Sequence, residues 1–241
     1  MSTTITAADI NKLRQTTGAG MLDCRKALTE SNGDFEAAID WLRKQGQKVA
    51  AKRSDREAKE GVVIAQTTAD GKSGIVLCIS CETDFVSKNA EFVAFAQSIA
   101  DAAIANNVKT AEELNAVTVN GSTVEQMIND KLAAIGEKIA ITKFERVDAP
   151  YVASYIHGAN RMGVLVAMTK AAPEAGKDVA MQIAAMNPLA VDETSISQEI
   201  KDREKAIAIE MIKAEGKPAE MAEKIADGKM NKFFKENTLM A

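Results

Sequence analysis

Gly74-Ile75-Val76-Leu77-Cys78-Ile79, then Cys81-Glu82-Thr83-Asp84-Phe85-Val86-Ser87-Lys88-Asn89, then Glu91-Phe92-Val93-Ala94-Phe95-Ala96: this passage decides how the chain folds. The first segment is a continuous apolar run and reads as a strand; the third reads as a helix. Between them the chain turns a tight polar corner, with an acid and an aromatic side by side at Asp84 and Phe85. Corners on rigid elements are where function is usually displayed. An aromatic exposed there would anchor in a partner's pocket. The alternative is that Thr83 or Asp84 caps a helix while Phe85 packs into the core. The corner by itself leaves both readings open.

Upstream, Val62-Val63-Ile64-Ala65-Gln66-Thr67 is strand-like, and Asp70-Gly71 followed by Ser73-Gly74 signals a hairpin into the second strand. Downstream, a long helix is expected over residues 89–107, a shorter one over 124–135 and a third strand over 138–146. These segments make an α+β unit with a small antiparallel sheet. The layout then recurs, offset by roughly 90 residues: strand 151–157, a Gly158-Ala159-Asn160 turn, strand 162–169 and helix 174–187. Two related subdomains with flanking helices are therefore expected.

The ends of the chain are helical. Residues 5–46 read as three short helices, with Thr6 capping the first and Gly18-Ala19-Gly20 breaking it. Met21, Leu22, Cys24, Ala27 and Leu28 stripe the second. Asn32-Gly33-Asp34 turns into the third, which carries Phe35, Ala38, Ile39, Trp41 and Leu42 and ends near Gly46. Trp41, the only tryptophan, is expected to fill part of this small core. Residues 47–60, with Lys48, Lys52, Arg53, Arg56 and Lys59 among Asp55 and Glu57, read as a solvated linker helix. Interspersed acids and missing aromatics weigh against a nucleic-acid patch there. Residues 196–235 form a helical hairpin, broken at Glu215-Gly216-Lys217-Pro218. Ile196, Ile200, Ile207 and Met211 are expected to face Met221, Ile225 and Phe233 across it.

The 241 residues carry 46% hydrophobic and 27% charged residues, ordinary for a globular protein, and a net charge of −4, which gives no overall basic field for nucleic acid. No apolar run approaches the roughly 20 residues that span a bilayer, and no leader pattern opens the chain, so a cytoplasmic location is expected. Three cysteines form an odd set, against a disulfide framework. Cys78-Ile79-Ser80-Cys81 has redox or zinc spacing, but there is no second pair and one histidine in all. On a strand the two thiols would face opposite sides. Gly18-Ala19-Gly20 lacks the Gly-Lys-Ser/Thr of a phosphate loop and the strand before it, so no direct nucleotide binding is expected. His157, the single histidine, lies at a strand end with no nucleophile elbow in the chain. By itself a lone histidine is more often structural than functional.

Three segments in order carry a resemblance. Leu13-Arg14-Gln15-Thr16-Thr17-Gly18-Ala19-Gly20-Met21-Leu22-Asp23-Cys24-Arg25-Lys26-Ala27-Leu28, the corner at 81–89, and Tyr155-Ile156-His157-Gly158-Ala159-Asn160-Arg161-Met162-Gly163-Val164-Leu165-Val166 resemble the hallmarks of the bacterial translation elongation factor Ts family. The similarity runs over residues 5–237. It implies a guanine-nucleotide exchange factor for elongation factor Tu, without covalent chemistry and without a cofactor or metal of its own. Its fold would be a ubiquitin-associated-like three-helix domain (1–46), a linker (47–60), N-terminal (61–149) and C-terminal (150–195) core subdomains, a coiled-coil hairpin (196–236) and a shortened end (237–241).

By the same resemblance, Thr83, Asp84, Phe85 and Val86 would enter near the partner's magnesium site, with Phe85 as the wedge. Arg14, Met21 and Leu22 would grip the partner's GTPase domain, Ile135 and Gly136 would form a further contact loop, and His157 would also reach that domain. A domain neighbouring the GTPase domain would be contacted too. Family members continue past the hairpin with a further strand and a helix. Because this chain stops at Ala241, its second subdomain is expected to lack a strand, whether as a fragment or as a natural short form. A nucleic-acid-binding accessory protein of translation, without exchange activity, is the alternative reading, disfavoured by the net charge. A thiol enzyme is disfavoured by the cysteine count.

Overall fold

The computed structural model describes residues 4–53 and 55–240, so Ala241 of the expected shortened end and Ser54 of the expected linker lie outside the described residues. The chain divides into two units, residues 1–177 and 178–241.

The first unit opens with α1 (Ala7–Thr17), α2 (Met21–Glu30) and α3 (Phe35–Arg53). Thr6 and Asp9 form a capping box at the start of α1, and Gly18 ends that helix in the left-handed conformation. The Asp34 carboxylate accepts the Ala37 N–H at 2.9 Å and starts α3. Leu13, Cys24, Ala27, Leu28, Ala38 and Leu42 form the buried centre, with Trp41 half-buried against it. One expectation fails here. The third helix does not end near Gly46 but runs on to Arg53. Gly46 is instead a contact: a Cβ at that position would lie 2.6 Å from the Cβ of Ala133. Its missing side chain serves close packing in mid-helix rather than a stop.

Next come β1 (Glu60–Thr67), β2 (Ser73–Cys81), α4 (Asp84–Ser87), α5 (Ala90–Ala105), α6 (Ala111–Ala116), β3 (Thr118–Val119), β4 (Ser122–Thr123), α7 (Val124–Ile135) and β5 (Ala140–Asp148). The three-stranded sheet is antiparallel, in the order β1-β2-β5. Val62, Ile64, Ile75, Leu77, Ile79 and Phe144 join Phe92, Ala96, Ile99 and Leu132 of the helices in the largest buried core. The third strand lies two residues later than the pattern suggested, and α4, α6 and the β3–β4 hairpin are additions to it.

β6 (Tyr151–His157) and β7 (Met162–Met168) pair as a separate two-stranded antiparallel sheet. It packs on the sheet's other face through glycines: a Cβ on Gly74 would meet Val152 Cγ1 at 2.9 Å, and one on Gly163 would meet Val63 Cγ1 at 2.8 Å. The fold is thus α+β, with small antiparallel sheets and flanking helices. α8 (Pro173–Met186) follows β7.

The second unit holds α9 (Gln198–Ala214) and α10 (Ala219–Asn237). Ser197 caps α9, and the chain after α10 pairs back on the segment before α9, with the Leu239 N–H donating to the Ala190 carbonyl at 3.1 Å. The expected helix–helix face needs correction. The buried contact is made by Ala208 and Ile212 with Ala222 and Ala226. Ile200, Ile207, Met211 and Met221 are exposed. Of the expected residues Ile225 packs against this cluster and Ile196 is buried, while small alanines beside Ile212 let the two backbones approach.

Candidate functional site

The β2–α4 corner is built from three directions. Glu60 pairs with Cys81 at the end of the β1–β2 ladder, which fixes where the strand stops. Val86 packs against the core and Ser87 is buried. The Ser87 hydroxyl donates to the Asp84 carbonyl at 3.2 Å. Thr83 is the N-cap residue of α4, but its side chain makes no capping bond; its hydroxyl donates to Glu137 Oε1 at 2.7 Å. Phe85 projects outward and is 85% exposed, which removes the core reading. The Lys88 ammonium donates to Asp84 Oδ2 at 2.7 Å, and this hydrogen bond holds the Asp84 carboxyl below its usual range.

The loop after α7 adjoins this corner. Gly136 closes α7 with a φ of 78°, a left-handed conformation that glycine adopts without strain, and Ile135 is left exposed. The next residue, Glu137, accepts the N–H groups of Glu82 at 3.2 Å and Thr83 at 3.1 Å. The α1–α2 turn also lies close to α7, because a Cβ on Gly18 would sit 3.9 Å from Ala134. On either side of that turn Arg14 is exposed, Met21 is half-exposed at 51%, and Leu22 is 81% exposed. Sequence candidates drawn from residues 14–22, 83–86 and 135–136 therefore lie on or beside neighbouring helix ends of one unit.

His157 is the last residue of β6 and is exposed; the Tyr155 hydroxyl lies 3.0 Å from its Nδ1. The following Gly158, Ala159 and Asn160 all have positive φ. The turn they make is fastened to β1. The Val63 N–H donates to the Asn160 carbonyl at 2.7 Å, the Asn160 amide donates to the Val63 carbonyl at 3.0 Å, and Arg161 pairs with Glu60 at 3.4 Å. Since Glu60 faces Cys81, the histidine turn belongs to the same end of the first sheet as the Phe85 corner.

Cys78 and Cys81 occupy opposite faces of β2, as the alternation of a strand requires. Burial, with the charges of Glu137 and Glu60 adding to it, pushes the Cys81 thiol up to about 11, which favours the neutral thiol of a buried structural cysteine. A cleft of about 600 Å³ opens between α3 and α7, lined by Trp41, Val49, Phe95 and Asp130 among others. Burial pushes the Asp130 carboxyl up, with Arg43 opposing. None of the sequence candidates lines it.

Sequence reasoning missed Glu82, Glu137 and Arg53. Their partners lie tens of residues away, and no local pattern marks them.

Phe85, Leu22, Met21 and Ile135 share one property: apolar surface presented on turns that hydrogen bonds or packing hold in place. Such a surface suits docking of another macromolecule. The comparisons with known proteins name the class. Residues 82–241 match the family described as "Elongation factor TS". Elongation factor Ts of Christiangramia forsetii is 48% identical over 239 residues, covering 98% of this chain and 86% of that protein. The Cytophaga hutchinsonii protein of the same name is 50% identical over 242 residues, covering 98% and 87%, and that of Methylococcus capsulatus 44% over 239 residues, covering 98% and 81%. These relatives place the chain among the translation elongation factors. Within that class it belongs to the elongation factor Ts family.

Proposed function

We propose that this chain is a guanine-nucleotide exchange factor that binds GDP-loaded elongation factor Tu and promotes release of GDP. One observation carries the reading: Phe85, an aromatic 85% exposed, stands on a corner whose backbone is held by a carboxylate from another loop. A large apolar side chain kept in water on a restrained turn is costly to solvation and suited to insertion into a pocket. Thr83, Asp84, Phe85 and Val86 form the wedge; Arg14, Met21 and Leu22 grip the GTPase domain, Ile135 and Gly136 extend that contact, and His157 adds a second edge. A domain neighbouring the GTPase domain is contacted as well.

The physics suits displacement of a metal. Magnesium demands near-ideal octahedral geometry and bridges nucleotide phosphates to protein, so a small shift of one ligand weakens metal and nucleotide together. Exchange is then a coupling free energy. The factor loosens the nucleotide as much as the nucleotide loosens the factor. No bond is made or broken, and the chain needs no nucleotide site of its own. The work would be done in the cytoplasm, with ribosomes. We assign the first three helices as a ubiquitin-associated-like domain whose last helix continues past residue 46 to Arg53, 61–149 and 150–195 as the core subdomains and 196–236 as a coiled-coil hairpin.

The test is release of a fluorescent GDP from elongation factor Tu with increasing amounts of this chain. Acceleration that saturates supports the proposal; release unchanged at saturating protein refutes it.

A further inference from the structure

We infer that Glu137 and Glu82 act as positioning residues for exchange, forming a reciprocal carboxylate clamp that holds the Phe85 corner in its insertion pose and ties it to the Ile135-Gly136 loop. The inference rests on the exchange reading above and adds to it residues outside the expected contact set.

The geometry is specific. A helix of four residues cannot sustain itself, because nucleation fixes several dihedrals for a single hydrogen bond. The free N–H groups at such a start need an acceptor. In α4 the usual one is withdrawn, since the Thr83 side chain makes no capping bond. Glu137, 54 residues away, instead fixes the chain that enters the helix: Oε2 accepts the N–H of Glu82 and of the cap residue Thr83, and Oε1 accepts the Thr83 hydroxyl. Glu82 points the other way. Its Oε1 accepts the Lys138 N–H at 2.6 Å and an Arg53 Nη1–H at 2.7 Å, and Arg56 lies 3.6 Å from its Oε2.

Each glutamate thus holds the backbone beside the other, and Arg53 links the pair to the end of α3. The Glu82 side chain is only 13% exposed, and the Lys138 N–H, followed by Arg53, keeps its carboxyl below the usual range. Ionised acceptors make the stronger hydrogen bonds, so the clamp is firm where it matters. Phe85 and Asp84 take no part in it and stay available outside.

Preorganisation explains why such a clamp would matter. An anchor already held in its bound pose spends less of its binding energy on ordering, and misplacement by about 1 Å can cost about a hundredfold in rate. Removing Glu137 should leave Arg14, Met21 and Leu22 untouched, so the half-saturating concentration should stay nearly constant while the maximal release rate falls.

The experiment compares the full-length chain with Glu137→Ala and Glu137→Gln. Two readouts are taken: GDP release from elongation factor Tu as a function of factor concentration, and hydrogen exchange of the Glu82 and Thr83 amides in the free protein. For Glu137→Ala the maximal release rate should drop about tenfold to a hundredfold, and both amides should lose protection. Glu137→Gln should restore most of both, because its amide oxygen still accepts N–H groups and its amide nitrogen can donate to a rotated Thr83 hydroxyl. If Glu137→Ala fails to fold, Thr83→Val, which removes the hydroxyl bond to Glu137, is read by amide exchange in the free protein, where its place in the wedge plays no part: the Glu82 and Thr83 amides should lose protection in smaller degree, and unchanged protection overturns the clamp. Wild-type release rate or wild-type amide protection in Glu137→Ala, or no rescue by Glu137→Gln, overturns the clamp and leaves the exchange reading standing. A wild-type chain that does not accelerate release overturns both, even if the amides lose protection.

Discussion

Replacing Phe85 by alanine separates a wedge from a core residue, and the structure supplies the magnitudes. A phenylalanine presents roughly 200 Å² of side-chain surface, of which 85% is open to water here. Little of that ring contributes to folding. Phe85→Ala should change stability by no more than about 0.5 kcal/mol, a melting shift of at most about 2 °C for a chain of this size. A core phenylalanine would cost about 3–5 kcal/mol and lower the melting temperature by roughly 6–20 °C. If the partner buries the exposed part of the ring, about 25 cal/mol per Å² gives close to 4 kcal/mol as a ceiling. Ordering and imperfect packing reduce that to the 2–4 kcal/mol range of about a thirtyfold to thousandfold loss in exchange.

The assay pairs thermal unfolding with fluorescent GDP release from elongation factor Tu. A melting temperature near the wild-type value together with slowed release is the expected result. A drop of ten degrees with folded protein still exchanging normally would refute the reasoning, because Phe85 would then belong to the core. Normal melting with normal release would refute the wedge.

Other consequences follow from named contacts. Arg14→Ala and Met21→Ala should raise the half-saturating concentration about tenfold or more, as interface anchors do, while the maximal release rate stays high; the reverse pattern would contradict their role as grips, and folding must be checked first because Met21 is half-covered. His157→Ala should slow exchange with melting unchanged, since the side chain is exposed and its hydrogen-bond contact is with the neighbouring Tyr155; full activity would remove it from the site. Raising free magnesium should weaken binding to the GDP-bound partner, as calorimetric titration can show, and insensitivity to the metal would mean the corner acts elsewhere. Gly46→Val should lower stability by about 1–3 kcal/mol, read as a fall in the urea midpoint, because its side chain would collide with Ala133; a stabilised variant would disprove the close packing of α3 on α7.

Much of the fold was legible because local chemistry and global packing agree. Thr6 with Asp9, Asp34, Asp70-Gly71 and Gly158-Ala159-Asn160 each state a cap or turn in residues adjacent in the chain, and each does that work in the structure. Gly46 misled because glycine has two uses, and only the position of Ala133 tells a close approach from a helix stop. The β3–β4 hairpin carries a strong signal in Asn120-Gly121, both with positive φ, but strands of two residues give no alternation to support it. In the hairpin of the second unit, a search for large apolar residues finds Ile225 but also selects the exposed Met211 and Met221, whereas Ala208, Ala222 and Ala226 make the contact together with Ile212. An alanine stripe is invisible to a search that looks only for large apolar side chains.

The site divides along the same line. Asp84 and Phe85 stand out in the sequence because an acid and an aromatic at a strand end need explaining, and an exposed side chain carries its meaning locally. What sets their pose does not. Glu137 follows a helix-ending glycine, and in sequence it is one more solvated acid. Glu82 looks like part of the corner's polar decoration. Only when β2 and β5 pair, and α7 returns the chain to the start of β5, do the two carboxylates meet each other's backbone. Arg53 joins them only because α3 runs on past Gly46. Exposed apolar corner residues are therefore readable from residue types, while the rigidity of the corner depends on contacts of high sequence separation. Substitutions at Glu82, Glu137 or Arg53 should impair exchange without altering any residue of the proposed contact surface, and this is the pattern by which support is distinguished from contact.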